Sequence, residues 1–196
     1  MANDTKEKIL AKALELFSQK GYEGTNINEL MESVGLVKSA MYRHFESKED
    51  IWNTLLDRLI AYYENQFGSP EHLPPVPESL DELLALTMRM VNFTVHDETV
   101  IMTRKLLTIE QFRDERARKL ATKHFLTGLT EMFAHVFAGM MDHSLLQRND
   151  PELLAFSFTA PVSVLIHLCD REPEKTNDAL ARIEAFTRLF IKTYGV

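Results

Sequence analysis

The stretch ILAKALELFSQKGYEGTNINELMESVGLVKSAMYRHFESKEDIWNTLLD, residues 9–57, decides how this chain is read. Apolar residues recur in it three or four apart, the spacing of an amphipathic helix. Ile9, Leu10, Ala13, Leu14 and Phe17 share one face of a first helix, expected over residues 4–20, and Gly21 suits its C-terminal cap. A second helix starts at Asn26, where Asn26 and Glu29 stand at capping-box spacing. It carries Ile27, Leu30, Met31 and Val34 and ends at Gly35. A short third helix is expected over 37–44. The fourth begins at Ser47, with Asp50 three residues on, and runs to Phe67 through Ile51, Trp52, Leu55, Leu56, Leu59 and Ile60. Short helices joined across a glycine turn have the outline of a helix-turn-helix.

Beyond this stretch lies GSPEHLPPVP, residues 68–77, where four of the seven prolines crowd together. Proline at that density excludes a helix and marks a linker. Further helices are predicted over 79–96, 98–110, 114–142, 151–170 and 175–194, with Asp150 and Pro151 suited to an N-cap and a first helical position. No segment alternates as a strand does, so the fold class is all-α. There is no internal repeat and no low-complexity tract.

The composition allows a packed core: 196 residues, 45% hydrophobic and 26% charged. A net charge of −7 argues against nucleic acid, but its distribution matters more. Residues 1–48 are neutral, and within 36–48 Lys38, Arg43 and Lys48 face only Glu46. A phosphate responds to that local field. Cys169 is the single cysteine, so no intrachain disulfide can form and a reducing, cytoplasmic setting is expected. The N-terminal MANDTKEKIL has no apolar signal-peptide core.

With Ala13, Phe17, Gly21, Tyr22, Thr25, Ile27, Gly35, Lys38, Tyr42, Phe45, Lys48 and Glu49 at their spacings, residues 9–57 resemble the N-terminal signature of the TetR family of transcriptional regulators. The resemblance covers about a quarter of the chain. It implies a three-helix DNA-binding domain over residues 1–47 and a connecting helix over 48–67. Residues 68–196 would then be a helical bundle that binds an effector and dimerises. The implied function is sequence-specific transcriptional regulation, with a repressor leaving its palindromic double-stranded operator when a small molecule binds. No cofactor and no metal are expected. The chain departs from the family pattern at Val37, where Ser or Thr usually caps the third helix, and at Ser39-Ala40, where Gly-Thr is common.

The chemistry of these residues suits that role. Lys38 can reach a guanine edge or a phosphate, Ser39 can bond a base or the backbone, and Ala40 can touch a thymine methyl. Val37 and Met41 complete a short-to-flexible set at the start of a recognition helix. By resemblance, Tyr42, His44 and Thr25 are phosphate contacts. Lys48, in the first turn of the fourth helix, adds its charge to the amides exposed there.

Residues 153–169 are apolar nearly all round, but they are short, contain Ser157, Thr159, Ser163 and His167, and have charges at both ends. A membrane span is therefore not expected. Pro161 should kink this helix. By resemblance the last two helices pair with those of a second copy, giving a homodimer interface of Phe156, Ala160, Val164, Ile183, Phe186 and Phe190. Twelve Phe and nine Met suggest a pliable interior. Candidate pocket residues are Phe93, His96, Met102, Leu106, Phe125, Leu129, Phe133 and His167. No pair of histidines stands four apart beside a carboxylate, as a metal site would require. Two alternatives remain at this point. One is a constitutive DNA- or partner-binding protein with a filled core. The other is a helical-bundle enzyme, for which no phosphate loop or paired acid and nucleophile is present.

Overall fold

The computed structural model describes residues 2–68 and 73–196. Of the proline-rich linker read over 68–77, residues 69–72 lie outside the described residues. The helices run in the order α1 (Ala2–Gly24), α2 (Ile27–Ser33), α3 (Lys38–Met41), α4 (Lys48–Phe67), α5 (Leu80–His96), α6 (Glu98–Glu110), α7 (Glu115–Thr122), α8 (Gly128–Asp142), α9 (Pro151–Arg171) and α10 (Thr176–Tyr194). Among the described residues the one β pairing is an isolated bridge, Leu146 to Gly195. The fold is all-α.

The helix boundaries follow the capping chemistry. The Ser47 hydroxyl accepts from the Asp50 amide at 3.0 Å and the Asp50 carboxylate accepts from the Glu46 amide at 2.9 Å. Ser79 and Glu82 repeat the device ahead of α5. Asp150 accepts from the amides of Glu152 and Leu153, with Pro151 at the first helical position. At α2 the box is half made. The Asn26 side chain caps the Asn28 amide, but Glu29 pairs with Lys20 instead of reaching back. The single helix expected over 114–142 is divided by a π-helical turn, Lys123–Thr127. One added residue in a turn leaves no trace in the apolar spacing. α9 continues through Pro161.

The chain forms two compact units, Met1–Asn65 with Glu98–Ala121, and Gln66–Asp97 with Thr122–Val196. In the first, α1, α2 and α4 bury Leu10, Phe17, Leu30, Ile51 and Leu56. α6, which the sequence reading placed in the C-terminal domain, packs along α1 and buries Val100, Leu106 and Leu107. α4 is tied to α1 by a forked ion pair between Arg58 and Glu7, and to α7 by Arg116, which donates to Asn53 at 2.8 Å and Asp57 at 2.5 Å.

In the second unit α8 packs on α9, and α10 on α9 and α5. Phe133, Phe137, Phe158, Phe186 and Phe190 interlock at its centre, with ring centroids 4.7–5.7 Å apart. Buried threonines Thr87, Thr159 and Thr187 donate to the carbonyl one turn back, which satisfies the hydroxyl inside an apolar layer.

Candidate nucleic-acid interface

α2 and α3 form the helix-turn-helix, with Gly35 between them at φ 74°. The turn is closed by the Leu36 amide donating to the Met31 carbonyl at 2.9 Å. Leu30, Met31, Met41 and Phe45 are buried beneath it, which fixes the face that α3 turns outward. That face carries Val37 (68% exposed), Lys38, Ser39, Tyr42 (61%) and Arg43, with Ala40 and His44 half-buried beside them. Val37 starts α3 in an extended conformation without a side-chain cap.

The structure corrects two of the expected contacts. Met41 is 2% exposed and anchors α3, so it faces away from any groove. Thr25 is also 2% exposed, and its hydroxyl donates to the Gly21 carbonyl at 2.9 Å. It closes the turn between α1 and α2 instead of presenting an open donor. Helical spacing alone does not tell an inward Met from an outward one in a four-residue helix.

Lys48 opens α4, half-buried, with its ammonium 4.3 Å from the centroid of the Tyr22 ring. Burial lowers its pKa, opposed by the carboxylates of Glu23 and Glu110. Tyr22 packs against Trp52 and Phe17, centroids 5.3 and 5.7 Å away, and burial raises its hydroxyl pKa. The Tyr22 amide donates to a Glu110 carboxylate oxygen at 2.8 Å. The sequence offered no signal for that contact, because Glu110 lies 88 residues along the chain.

In the second unit a cavity of about 820 Å³ is lined by the 74–78 segment and by Glu82, Leu86, Arg89, Met90, Phe93 and Met132. Of the pocket candidates, Phe93 lines it. Phe133 is buried in the phenylalanine cluster. Leu129 packs against that cluster, and Phe125 meets His167 edge to face at 5.3 Å. His96 is exposed, its Nδ1 2.9 Å from the Asn92 carbonyl. Met102 and Leu106 lie on α6 in the first unit, Leu106 fully buried. Among the described residues no group of three or more His, Cys, Asp or Glu is placed to hold a metal ion.

Of the expected dimer residues, Phe156 and Val164 are exposed on α9 and Ala160 lies half-buried between them. Leu153, one turn earlier on α9, is also exposed, as is Leu189 on α10. Ile183 and Phe190 are corrections: both are buried in the chain's own core, and Phe186 packs against the same core. α9 is long and apolar enough to cross a membrane by length and composition, with mean hydropathy 1.6. Leu154, Phe158, Val162 and Ile166 on it are nevertheless packed in the two apolar clusters of this unit.

A small helical head that exposes a cationic recognition helix defines a helix-turn-helix DNA-binding regulator. The family profile described as bacterial regulatory proteins, tetR family, matches residues 9–55. The biofilm operon icaADBC negative transcriptional regulator IcaR of Staphylococcus epidermidis is 26% identical, over 48% of this chain and 67% of that protein. IcaR of Staphylococcus aureus strain Newman is 38% identical over 31% of this chain, which spans about a third (32%) of its length. The structure of SmeT, the repressor of the Stenotrophomonas maltophilia multidrug efflux pump SmeDEF, superposes with a TM-score of 0.66 at 19% identity, covering 97% of this chain and 90% of that one. Residues 9–55 thus carry the N-terminal domain of the tetR family of bacterial regulatory proteins.

Proposed function

We propose that this chain is a cytoplasmic, homodimeric transcriptional repressor that binds a palindromic operator and leaves it when a small molecule binds. The observation that carries the DNA half is the outward face of α3, where Lys38, Ser39, Tyr42 and Arg43 stand clear of the core. Lys38 and Ser39 read base edges, while Tyr42, His44 and Lys48 hold phosphates, so position and sequence are set by different side chains. Two heads on one dimer read half-sites one helical turn apart, about 34–36 Å. IcaR and SmeT are named as a negative regulator and a repressor, which supports repression over activation.

The dimer forms through the exposed apolar face of α9 and α10, with Leu153, Phe156, Val164 and Leu189 at its centre. The effector occupies the cavity beside Phe93 and Met132. Its prolines, methionines and phenylalanine suit a largely apolar small molecule, and Arg89, Glu78 and Glu82 supply polar contacts. The effector must prefer the DNA-incompetent state, because equal affinity for both states shifts nothing.

Selection of duplexes from a random-sequence library tests the DNA reading. An inverted repeat is expected, bound by the wild-type chain and weakly by Tyr42→Ala on every sequence. Failure to enrich any sequence sinks it. A thermal-shift screen of small molecules followed by release of that duplex tests the effector. Phe93→Trp, which enlarges one wall of the cavity, should weaken release while leaving DNA affinity intact.

A further inference from the structure

We propose that Glu110 is a positioning residue for DNA binding: its buried carboxylate holds the kink that Gly21 makes in α1, and the Tyr22 ring held by that kink seats the Lys48 ammonium at the start of α4. Glu110 ends α6 and is 2% exposed. A carboxylate so buried requires donors, and the Tyr22 amide supplies one at 2.8 Å. Gly21 makes the approach possible. It stands at φ 75°, and a Cβ there would lie 2.6 Å from the same carboxylate oxygen. From the other side the Thr25 hydroxyl donates to the Gly21 carbonyl at 2.9 Å and the Thr25 amide to the Tyr22 carbonyl at 3.3 Å. The backbone of Tyr22 is thus held at its amide and its carbonyl.

A ring fixed in this way, against Phe17 and Trp52, offers Lys48 one defined face. A free lysine samples many rotamers, and ordering it on DNA costs entropy. An ammonium resting on Tyr22 is held where it can meet a phosphate; without that seat the ordering cost keeps the contact from closing, and one phosphate fewer is neutralised. Glu110 therefore acts through Tyr22 on a residue that touches DNA, without touching DNA itself.

The inference rests on the reading of Lys48 as a phosphate contact, and the test separates the two. The probe is a duplex recovered from a random-sequence library with the full wild-type chain, titrated by fluorescence anisotropy across a range of KCl. Lys48→Ala should lower the slope of log affinity against log salt by about 0.9, the counterions of one phosphate. Glu110→Ala should lower it equally. Glu110→Gln, which keeps an acceptor facing the Tyr22 amide, should restore it, and the double variant K48A/E110A should fall no further than K48A. An unchanged slope in K48A overturns the Lys48 contact and the proposal with it. A lowered slope in K48A with an unchanged slope in E110A overturns the role of Glu110 alone, whatever E110A does to the melting temperature. Should E110A fail to fold, Glu110→Asp, which withdraws the carboxylate by one methylene, replaces it: a partial loss of slope is expected, and a wild-type slope overturns the proposal.

Discussion

Lys38 and Ser39 begin a helix of only four residues, and their exposure leaves both free to approach a base edge. Lys38→Ala is expected to reduce discrimination at one operator position, worth about 1–3 kcal/mol if the contact is bidentate to guanine. Competition binding against a set of single-base operator variants checks this, and an unchanged preference at every position would remove Lys38 from base readout. His124 gives a second prediction. Burial, with Lys123 beside it, lowers its pKa from 6.5 to about 4. The folded chain therefore keeps it neutral where the unfolded chain protonates. Stability from this residue is present above pH 6.5 and is lost as pH falls toward 4, by at most about 3 kcal/mol. Urea melts between about pH 7 and 4.5 should show that decline, flattened in His124→Gln. At this scale the sequence named Lys38, Tyr42 and Lys48 as candidates, but it did not distinguish them from Met41 and Thr25, whose burial depends on what α1 and α2 place above them.

The helices were largely legible from the sequence, because capping is local chemistry. Ser47, Ser79 and Asp150 each bond an amide two or three residues on, so their spacing carries the information. The π-helical turn at Lys123–Thr127 was not legible, since it adds a residue without changing composition. α3 starts at Val37 without a side-chain cap. Val37→Ser should supply one and stabilise the first unit by about 1 kcal/mol, because the exposed Val37 side chain contributes little packing. A lower melting temperature in V37S would show that position 37 is not limited by its missing cap.

At the scale of the whole molecule, the last two helices divide their apolar residues between the chain's own core and an open face. Phe156→Glu or Val164→Glu should leave each protomer folded but monomeric in sedimentation, and should lower operator affinity about 100-fold or more through lost bivalency. If Phe156→Glu and Val164→Glu both still sediment as dimers, the subunits join elsewhere and this face is not the interface. Phe190→Ala should act differently, costing roughly 3–5 kcal/mol of folding stability by opening a cavity in the phenylalanine cluster, which chemical denaturation would measure.

Taken by itself, the order of residues determined that this chain is helical, where most of its helices begin, and that residues 25–48 form a helix-turn-helix. Those properties depend on hydrogen bonds and apolar spacing within a few residues. Tertiary structure decided which candidates face outward, that α6 lies along α1 with Glu110 on the Tyr22 amide, and that Ile183 and Phe190 belong to the core. Those outcomes depend on which helix faces pack together, and a helix's apolar stripe specifies that a partner is needed without specifying which one.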